Sequence, residues 1–260
     1  MSTEVKTRSP LKVPPLRNPG QSLDEELQRF FVDSFLPYFL VPSVLGAFAL
    51  IEWMRYIRPL PPSPWFATVV AIVAVIYSAY KVQKLRPKIH ALKLGRDGEK
   101  VVGQALEELR TGGAIVLHDI TANDFNVDHV VISFKGIFVI ETKTRSKPKG
   151  RDAKIAYDGE KILIDGWTMA PDPMKQVQAN TAWIRDLLME STGKSYPVRP
   201  ILLFPGWYVD SVGVPHLQSR VWVLSPKALP AFINHERTTL SLEDVKMATC
   251  HLSRYIRNLR

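Results

Sequence analysis

Cysteine is nearly absent from this sequence, since Cys250 is the only one among 260 residues. A single thiol excludes a disulfide framework and a cysteine-rich zinc site, and it gives no sign of an oxidising compartment. The glycine patterns GxGxxG and GxxxxGK[ST] are also missing, which argues against a Rossmann enzyme or a P-loop ATPase. No serine has the context of a nucleophile elbow, so a serine hydrolase is disfavoured. Wholesale disorder is excluded because 46% of the residues are hydrophobic.

Two long apolar runs, 35–51 and 65–80, contain no charged residue. Each is slightly shorter than the ~20 residues that cross a bilayer core, and close to the lower bound of ~17. Aromatic residues lie at the run ends and the proline-rich segment 58–64 separates the runs, as in a transmembrane helical hairpin. We therefore predict two transmembrane helices at about 35–53 and 65–82, with a disordered or polar tail over residues 1–30.

The basic residues predict the orientation of this hairpin. Residues 1–94 carry +6 of the net charge of +9, and residues 95–260 carry only +3. Six basic side chains lie between 81 and 96, against two in the short loop, so the positive-inside rule places both termini and the C-terminal domain in the cytoplasm. In a bacterium this would be a two-pass protein of the inner membrane. A basic juxtamembrane linker ending at residue 94 is expected to bind anionic lipid.

Three other interpretations of the hairpin stay open. It could be a buried helical hairpin of a soluble protein, a hairpin that docks on a partner protein, or a cleaved signal. A signal is disfavoured because the first apolar run begins beyond residue 30 and a second run follows it.

Residues 95–260 read as a separate domain with alternating elements. Hydrophobic periodicity and turn residues predict three helices and a series of strands. The order α-β-β-β-(hairpin)-α-β-β-α predicts one mixed sheet flanked by helices, an α/β or α+β domain. The predicted elements are a helix over 98–110, strands 114–118, 127–134 and 137–143, a hairpin over 154–164, a helix from about 173 to 189, strands 201–204 and 221–224, and a helix over 242–259.

Charged residues at the edge of the second and third strands form the most informative pattern. Glu141 and Lys143 are two residues apart and therefore project from one face of a strand. If Lys135-Gly136 is a two-residue loop, Asp128 lies opposite Lys143 and one diagonal step from Glu141, on the same face. This parity depends on the turn.

Two carboxylates and an ammonium group can support phosphodiester chemistry. Mg²⁺ takes oxygen ligands and is usually held by one or two carboxylates, with water and phosphate completing its shell. A neighbouring lysine can orient a water or offset charge that develops on the phosphate. By spacing alone the pattern is weak, because a glutamate and lysine pair on an exposed strand is common.

A resemblance to a known family becomes visible in four ordered motifs. The sequence resembles the NERD (nuclease-related) domain, a branch of the PD-(D/E)xK nuclease superfamily, over about residues 95–190. The resemblance implies a restriction-endonuclease-like fold with an αβββαβ core. The motifs are Gly95-Arg96-Asp97-Gly98-Glu99, Asp128-His129-Val130-Val131, Gly136-Ile137-Phe138-Val139-Ile140-Glu141-Thr142-Lys143 and Pro173-Met174-Lys175-Gln176.

The resemblance also implies roles for individual residues. Asp128 and Glu141 match the metal ligands of the family, and Glu99 matches a helix glutamate that helps to bind or order the metal. Lys143 matches the catalytic lysine, and Gln176 matches a glutamine that faces the site. The implied cofactor is Mg²⁺ or Mn²⁺.

The chain departs from the family pattern directly after the lysine. Members often continue with asparagine and an aromatic-glycine pair, whereas Thr144-Arg145-Ser146-Lys147 follows here. The departure affects the expected shape of the substrate groove more than the metal site. The basic side chains of this region are predicted to contact the phosphate backbone of a nucleic acid, although charge-rich loops are commonly just solvated; they are Arg145, Lys147, Lys149, Arg151 and Lys154.

Together these features predict a membrane-anchored, divalent-metal-dependent nuclease that hydrolyses phosphodiester bonds of DNA, with RNA as the alternative substrate. It would contact a lipid bilayer through residues 35–82. The alternative is a catalytically inactive module of the same fold that binds nucleic acid or a protein. Asp119 and Asp124 could contribute another carboxylate to the site but are expected in surface turns, and His118 and His129 are expected in the core or behind the site.

Overall fold

The computed structural model describes residues 16–58, 64–122, 125–147, 154–164, 167–169, 172–211 and 219–258. The chain divides into two compact units. One contains Ser22–Leu94 and is called the helical unit here. The other, called the sheet domain, contains the described residues of Gly95–Arg260 together with residues 16–21.

The helical unit begins with α1, Gln21–Phe30, followed by a π-helical turn at Phe31–Phe35 and by α2, Pro37–Ile57. Helix α3, Pro64–Thr111, begins in this unit and supplies its last residues to the sheet domain. The tail predicted over residues 1–30 is therefore wrong for 21–30, which are helical. The linker predicted up to residue 94 is helical as well, because no glycine precedes Gly95 in that stretch and Pro87 is accommodated inside α3.

Two stretches of this chain are long and apolar enough to be candidate membrane spans, Gln21–Ile57 and Thr68–Thr111. Only 6% and 11% of their most apolar windows are buried. Length and composition define these candidates, and helices of soluble proteins or signal sequences satisfy the same criteria.

The sheet domain contains the remaining elements. Their bounds are β1 Ile115–Thr121, β2 Asn126–Ser133, β3 Gly136–Thr142, β4 Lys154–Tyr157, β5 Ile162–Ile164, β6 Trp167–Thr168, α4 Pro173–Thr192, β7 Val198–Leu203, β8 Tyr208–Ser211, β9 Trp222–Leu224, α5 Leu229–His235 and α6 Leu242–Asn258.

The main sheet has the strand order β1-β2-β3-β7-β9. The first three strands are antiparallel, and β7 and β9 continue the sheet in parallel. One face packs against α4 and α6 around Val130 and Val139, and the other packs against α3 and α5 around Phe138 and Trp222. The prediction of a mixed sheet flanked by helices is thus confirmed.

The prediction of one sheet is wrong, because a second sheet has the order β6-β5-β4-β8. The predicted hairpin at Asp158-Gly159 is present as the pairing of β4 with β5. Strands β6 and β8 and helix α5 were not predicted. They contain two, four and seven residues, and unlike the equally short β4 and β5 they are not marked by an Asp-Gly turn.

The turn between β2 and β3 differs from the prediction. Ser133 pairs with Gly136, so the two-residue loop is Phe134-Lys135 rather than Lys135-Gly136. Gly136 enters the strand with a φ of 141°, which glycine adopts without a steric penalty. The register therefore moves by two residues and side chains keep their predicted faces. Because His129 pairs with Ile140, Asp128 lies opposite Glu141 and not opposite Lys143.

Candidate functional site

Asp128 and Glu141 form the centre of the candidate site, on the adjacent strands β2 and β3. Both are nearly inaccessible, with 7% and 3% of their surfaces exposed. The backbone N–H of Thr142 donates a hydrogen bond of 2.6 Å to Oδ2 of Asp128. The two carboxylates that the sequence predicted on one face are therefore brought together at the end of the strand pair.

Lys143 links this strand end to helix α4. Its Nζ donates to Oε1 of Glu141 at 2.8 Å and to Oε1 of Gln176 at 2.8 Å. Gln176 lies in the first turn of α4, which begins at Pro173 and is capped by the Asp172 carboxylate through the N–H of Met174. The cap and the proline start α4 where its first turn reaches the ammonium group.

Asn180 is a member of the site that sequence reasoning missed. It lies one turn after Gln176 on α4 and is 3% exposed. Its Nδ2 donates to Oε2 of Glu141 at 3.1 Å and to the backbone carbonyl of Asn126 at 3.3 Å. The signal that could have found it is the spacing of four residues from Gln176, which puts both amides on one helix face.

Glu99 approaches the site from α3. The preceding Gly98 has no room for a side chain, because an added Cβ would overlap the hydroxyl of Thr144, directly after the site lysine. This close approach lets the helix lie against the end of β3. Glu99 is 7% exposed, and its Oε2 has no hydrogen-bond partner among the described residues.

The pKa values of the three carboxyl groups are all raised. Burial, with the nearby charges of Asp119 and Glu141, raises the pKa of Glu99 to about 7. Burial and the Glu141 and Glu99 carboxylates raise the pKa of Asp128 well above its usual range. Burial also raises the pKa of Glu141, and the Lys143 ammonium opposes that shift. A cation placed among these groups would offset both the free-energy cost of burying their charges and the repulsion between them.

Asp119 is not in a surface turn, so that prediction is wrong. Its side chain is fully buried in β1, where Oδ2 accepts from Nε of Arg17 at 2.6 Å and Oδ1 accepts from Nδ2 of Asn126 at 2.6 Å. Its φ of 53° is in the left-handed region. Two charge-assisted bonds explain how a carboxylate is accommodated there. Asp124 lies outside the described residues.

His118 and His129 are buried, as predicted. Their Nδ1 atoms are 2.9 Å apart. Burial and the Arg110 guanidinium lower the pKa of His118 to about 4, and burial and His118 lower the pKa of His129 well below its usual value. His129 points to the face of β2 opposite Asp128. The pair belongs to the core rather than to the chemistry of the site.

The donor set fits a hard divalent cation held by few protein ligands. In the part of the chain that the structure describes, no three His, Cys, Asp or Glu side chains are placed to hold one ion together. Mg²⁺ needs only one or two carboxylates when water and phosphate complete its shell. Asp128 and Glu141 supply such a pair, and Glu99 is close enough for its carboxylate to raise the pKa of Asp128.

The predicted nucleic-acid contacts are only partly described. Arg145 and Lys147 follow the site lysine and are exposed. Lys154 is also exposed, but its Nζ lies 2.7 Å from Oδ2 of Asp210, which offsets its charge. Lys149 and Arg151 lie outside the described residues.

The domain has a mixed sheet with flanking helices, and its candidate site combines carboxylates and a lysine at adjacent strand ends with two amides on α4. This arrangement is consistent with a nuclease-like domain. Residues 94–205 match the family model of the nuclease-related domain, NERD. The match confirms the resemblance over this part of the chain. It extends from α3 through β7 and ends before β8, β9, α5 and α6. No curated protein and no solved structure matches the chain.

Proposed function

We propose that the protein is a membrane-anchored nuclease of the PD-(D/E)xK type that hydrolyses phosphodiester bonds of DNA, with RNA as the alternative substrate. One observation supports this most directly. The Lys143 ammonium bridges the carboxylate of Glu141 and the amide of Gln176, next to the buried Asp128. The similarity of residues 94–205 to the nuclease-related family points the same way.

Asp128 and Glu141 would hold Mg²⁺ or Mn²⁺, with assistance from Glu99. The bound ion would supply Lewis acidity toward the phosphate and lower the pKa of a coordinated water. The raised pKa values of the three carboxylates support a site that is completed by a cation.

The protein side chains position the reacting groups. Gln176 accepts a hydrogen bond from Lys143, and Asn180 donates one to Glu141, so both partners of the ion pair have fixed neighbours. Lys143, with an ammonium that is partly accessible, can orient the attacking water or offset charge on the phosphate in the transition state.

Substrate affinity would come from basic residues after the site lysine. Arg145 and Lys147, with Lys149, Arg151 and Lys154, would contact phosphates without regard to sequence. The net charge of +3 over residues 95–260 means that local clustering has to supply this attraction.

The two apolar helical stretches would anchor the protein in a bilayer through residues 35–82, with both termini and the sheet domain in the cytoplasm. In a bacterium this would be the inner membrane. Alkaline carbonate extraction tests the anchor, because an integral protein stays in the membrane fraction and is released only by detergent. Release by carbonate would overturn it.

The activity is tested with the full chain in detergent micelles. Plasmid DNA, single-stranded DNA and RNA are incubated with Mg²⁺, with Mn²⁺ or with a chelator. Cleavage is expected only with a divalent ion, and Glu141→Gln and Lys143→Ala should remove it. Lys194→Ala, in an exposed ion pair with Asp244, is the matched control and should cleave normally. Cleavage that survives both site variants would overturn the proposal.

A binding module without catalysis is the second candidate. The observation that favours it is the exposure of Arg145 and Lys147 directly after the site lysine, where both could contact phosphates without a metal. It predicts nucleic-acid binding that weakens with salt and no turnover with any divalent ion.

A further inference from the structure

Residues 16–20, called the N-terminal segment here, pack against the helix and strand that flank the candidate site. Pro19 occupies the space beside Gly103 that a side chain there would need. Gly20 lies against Arg96, and its backbone N–H hydrogen-bonds the carboxyl group of Glu99. This segment is therefore part of the sheet domain, although the helical unit separates it from the rest of that domain in sequence.

Arg17 makes a buried contact between this segment and β1. Its side chain is 10% exposed, and its Nε lies 2.6 Å from Oδ2 of the fully buried Asp119. The pairing of β1 with β2 passes from His118 to Ile120 across Asp119. The left-handed backbone of Asp119 is uncommon for residues other than glycine, although aspartate adopts it more readily than most. Side-chain bonds on both carboxylate oxygens hold Asp119 in this conformation.

A continuous hydrogen-bond network leads from Arg17 to the centre of the site. Asn126 donates from Nδ2 to Asp119 at 2.6 Å, and the Asn126 carbonyl accepts from Nδ2 of Asn180 at 3.3 Å. Asn180 in turn donates to Oε2 of Glu141 at 3.1 Å. Each member belongs to a different element, so the network joins the N-terminal segment, β1, β2, α4 and β3.

We propose that Arg17 is a positioning residue of the site, which orients the carboxylate of Glu141 through Asp119, Asn126 and Asn180. The importance of Arg17 for cleavage rests on the proposed function, whereas the hydrogen-bond network is present in the structure whatever the function is. Arg17 is not expected to touch the substrate, since its guanidinium is committed to a buried carboxylate.

The catalytic consequence is measured on the full chain. Arg17→Gln removes the charge that holds Asp119, so kcat should fall, by less than the ~10-fold to 100-fold expected for a residue that hydrogen-bonds a metal ligand directly. The KM for DNA should stay unchanged. Arg17→Lys keeps the charge and should recover part of kcat. Arg254→Gln, an exposed position on α6, removes one charge elsewhere and should have no effect.

A second measurement does not depend on activity. Melting temperatures are compared for Arg17→Gln, Asn180→Ala and the double variant, without metal. Residues of one network are coupled, so the double variant should lose less than the sum of the single losses. Lys194→Gln combined with Asn180→Ala is the control and should be additive, since Lys194 lies beyond the end of α4 and pairs with Asp244 rather than with a member of the network. If Arg17→Gln does not fold, Arg17→Lys replaces it in both measurements.

Additive losses for Arg17 and Asn180 would overturn the proposal. An unchanged kcat in Arg17→Gln would also overturn it if Asn180→Ala lowers kcat. If the wild-type chain cleaves nothing with any divalent ion, the proposed function fails, while the melting temperatures still decide whether Arg17 acts on Asn180.

Discussion

The backbone N–H of Thr142 lies 2.6 Å from Oδ2 of Asp128 and donates a hydrogen bond to it. This bond joins the end of β3 to a buried carboxylate of β2 and sets Asp128 beside Glu141. Burial raises the pKa of Asp128, and the bond opposes that effect by stabilising the ionised form. The same contact therefore orients the carboxylate and moderates the free energy of placing its charge in the site.

Loss of Asp128 is expected to abolish stabilisation by divalent ions. At an Mn²⁺ concentration about 100 times the dissociation constant, binding adds about 2.7 kcal/mol to the free energy of unfolding. Asp128→Asn should remove this increase in melting temperature. Asp186→Asn, at an exposed position on α4, should keep it. Equal stabilisation of both variants would show that Asp128 does not bind the ion.

The raised pKa of Glu99 predicts how the free energy of unfolding depends on pH in the absence of metal. Its pKa is about 7 in the folded chain against an ordinary value of 4.5. Because the folded chain holds the Glu99 proton more tightly than the unfolded chain, protonated Glu99 contributes stability that is fully present below pH 4.5. This stability is lost as the pH rises through 7 and the buried carboxyl group ionises. Glu99→Gln removes this loss, so it should stabilise the protein at pH 8 by on the order of 3 kcal/mol and have little effect at pH 4.

The comparison is made by denaturant unfolding at both pH values. Glu190→Gln, an exposed glutamate on the same domain, is the matched control and should show no such difference. If Glu99→Gln and the wild type lose stability equally between the two pH values, the pKa of Glu99 is not raised.

Gly98 is expected to be irreplaceable by alanine. The added Cβ would overlap Thr144, and overpacking of this kind destabilises proteins by about 1–3 kcal/mol. Thr144→Ala removes the overlapping hydroxyl and should recover part of the loss in melting temperature. Gly46→Ala, where nothing lies within 4 Å of the new atom, is the control and should not be destabilising. Full stability of Gly98→Ala would contradict the close packing of α3 on β3.

Asn180→Ala tests the side chain that the sequence did not reveal. Removing the hydrogen bond to Oε2 of Glu141 should lower kcat by about 10-fold to 100-fold, because the carboxylate loses one of its orienting partners. The KM for nucleic acid should change little. Asn234→Ala, an exposed asparagine on α5, is the matched control. Normal kcat in Asn180→Ala would show that this bond does not matter for the reaction.

Much of the sheet domain could be predicted from the sequence. The strands β1, β2 and β3 and the helix α4 have strong periodicity and clear turns, and their bounds differ from the predicted ones by only a few residues. The exact turn was misplaced by one residue because Lys135-Gly136 looks like a hairpin loop, while Gly136 serves as the first residue of a strand. The even shift in register left every side chain on its predicted face.

The sequence by itself determined which residue types stand at the site. Alternation along a strand puts Glu141 and Lys143 on one face, and the four ordered motifs resemble the nuclease-related family, which residues 94–205 match. Such inferences depend on residues close together in the chain, where the backbone geometry of a strand or helix alone sets the direction of each side chain.

Only the tertiary structure decided which distant residues complete the site. Arg17 and Asp119 are 102 positions apart, and Glu141 and Asn180 are 39 apart. No local pattern relates such pairs, because their contact depends on how α4 and the N-terminal segment pack against the sheet. Burial then makes these contacts necessary, since a buried carboxylate requires a hydrogen-bond or ion-pair partner that an exposed one does not.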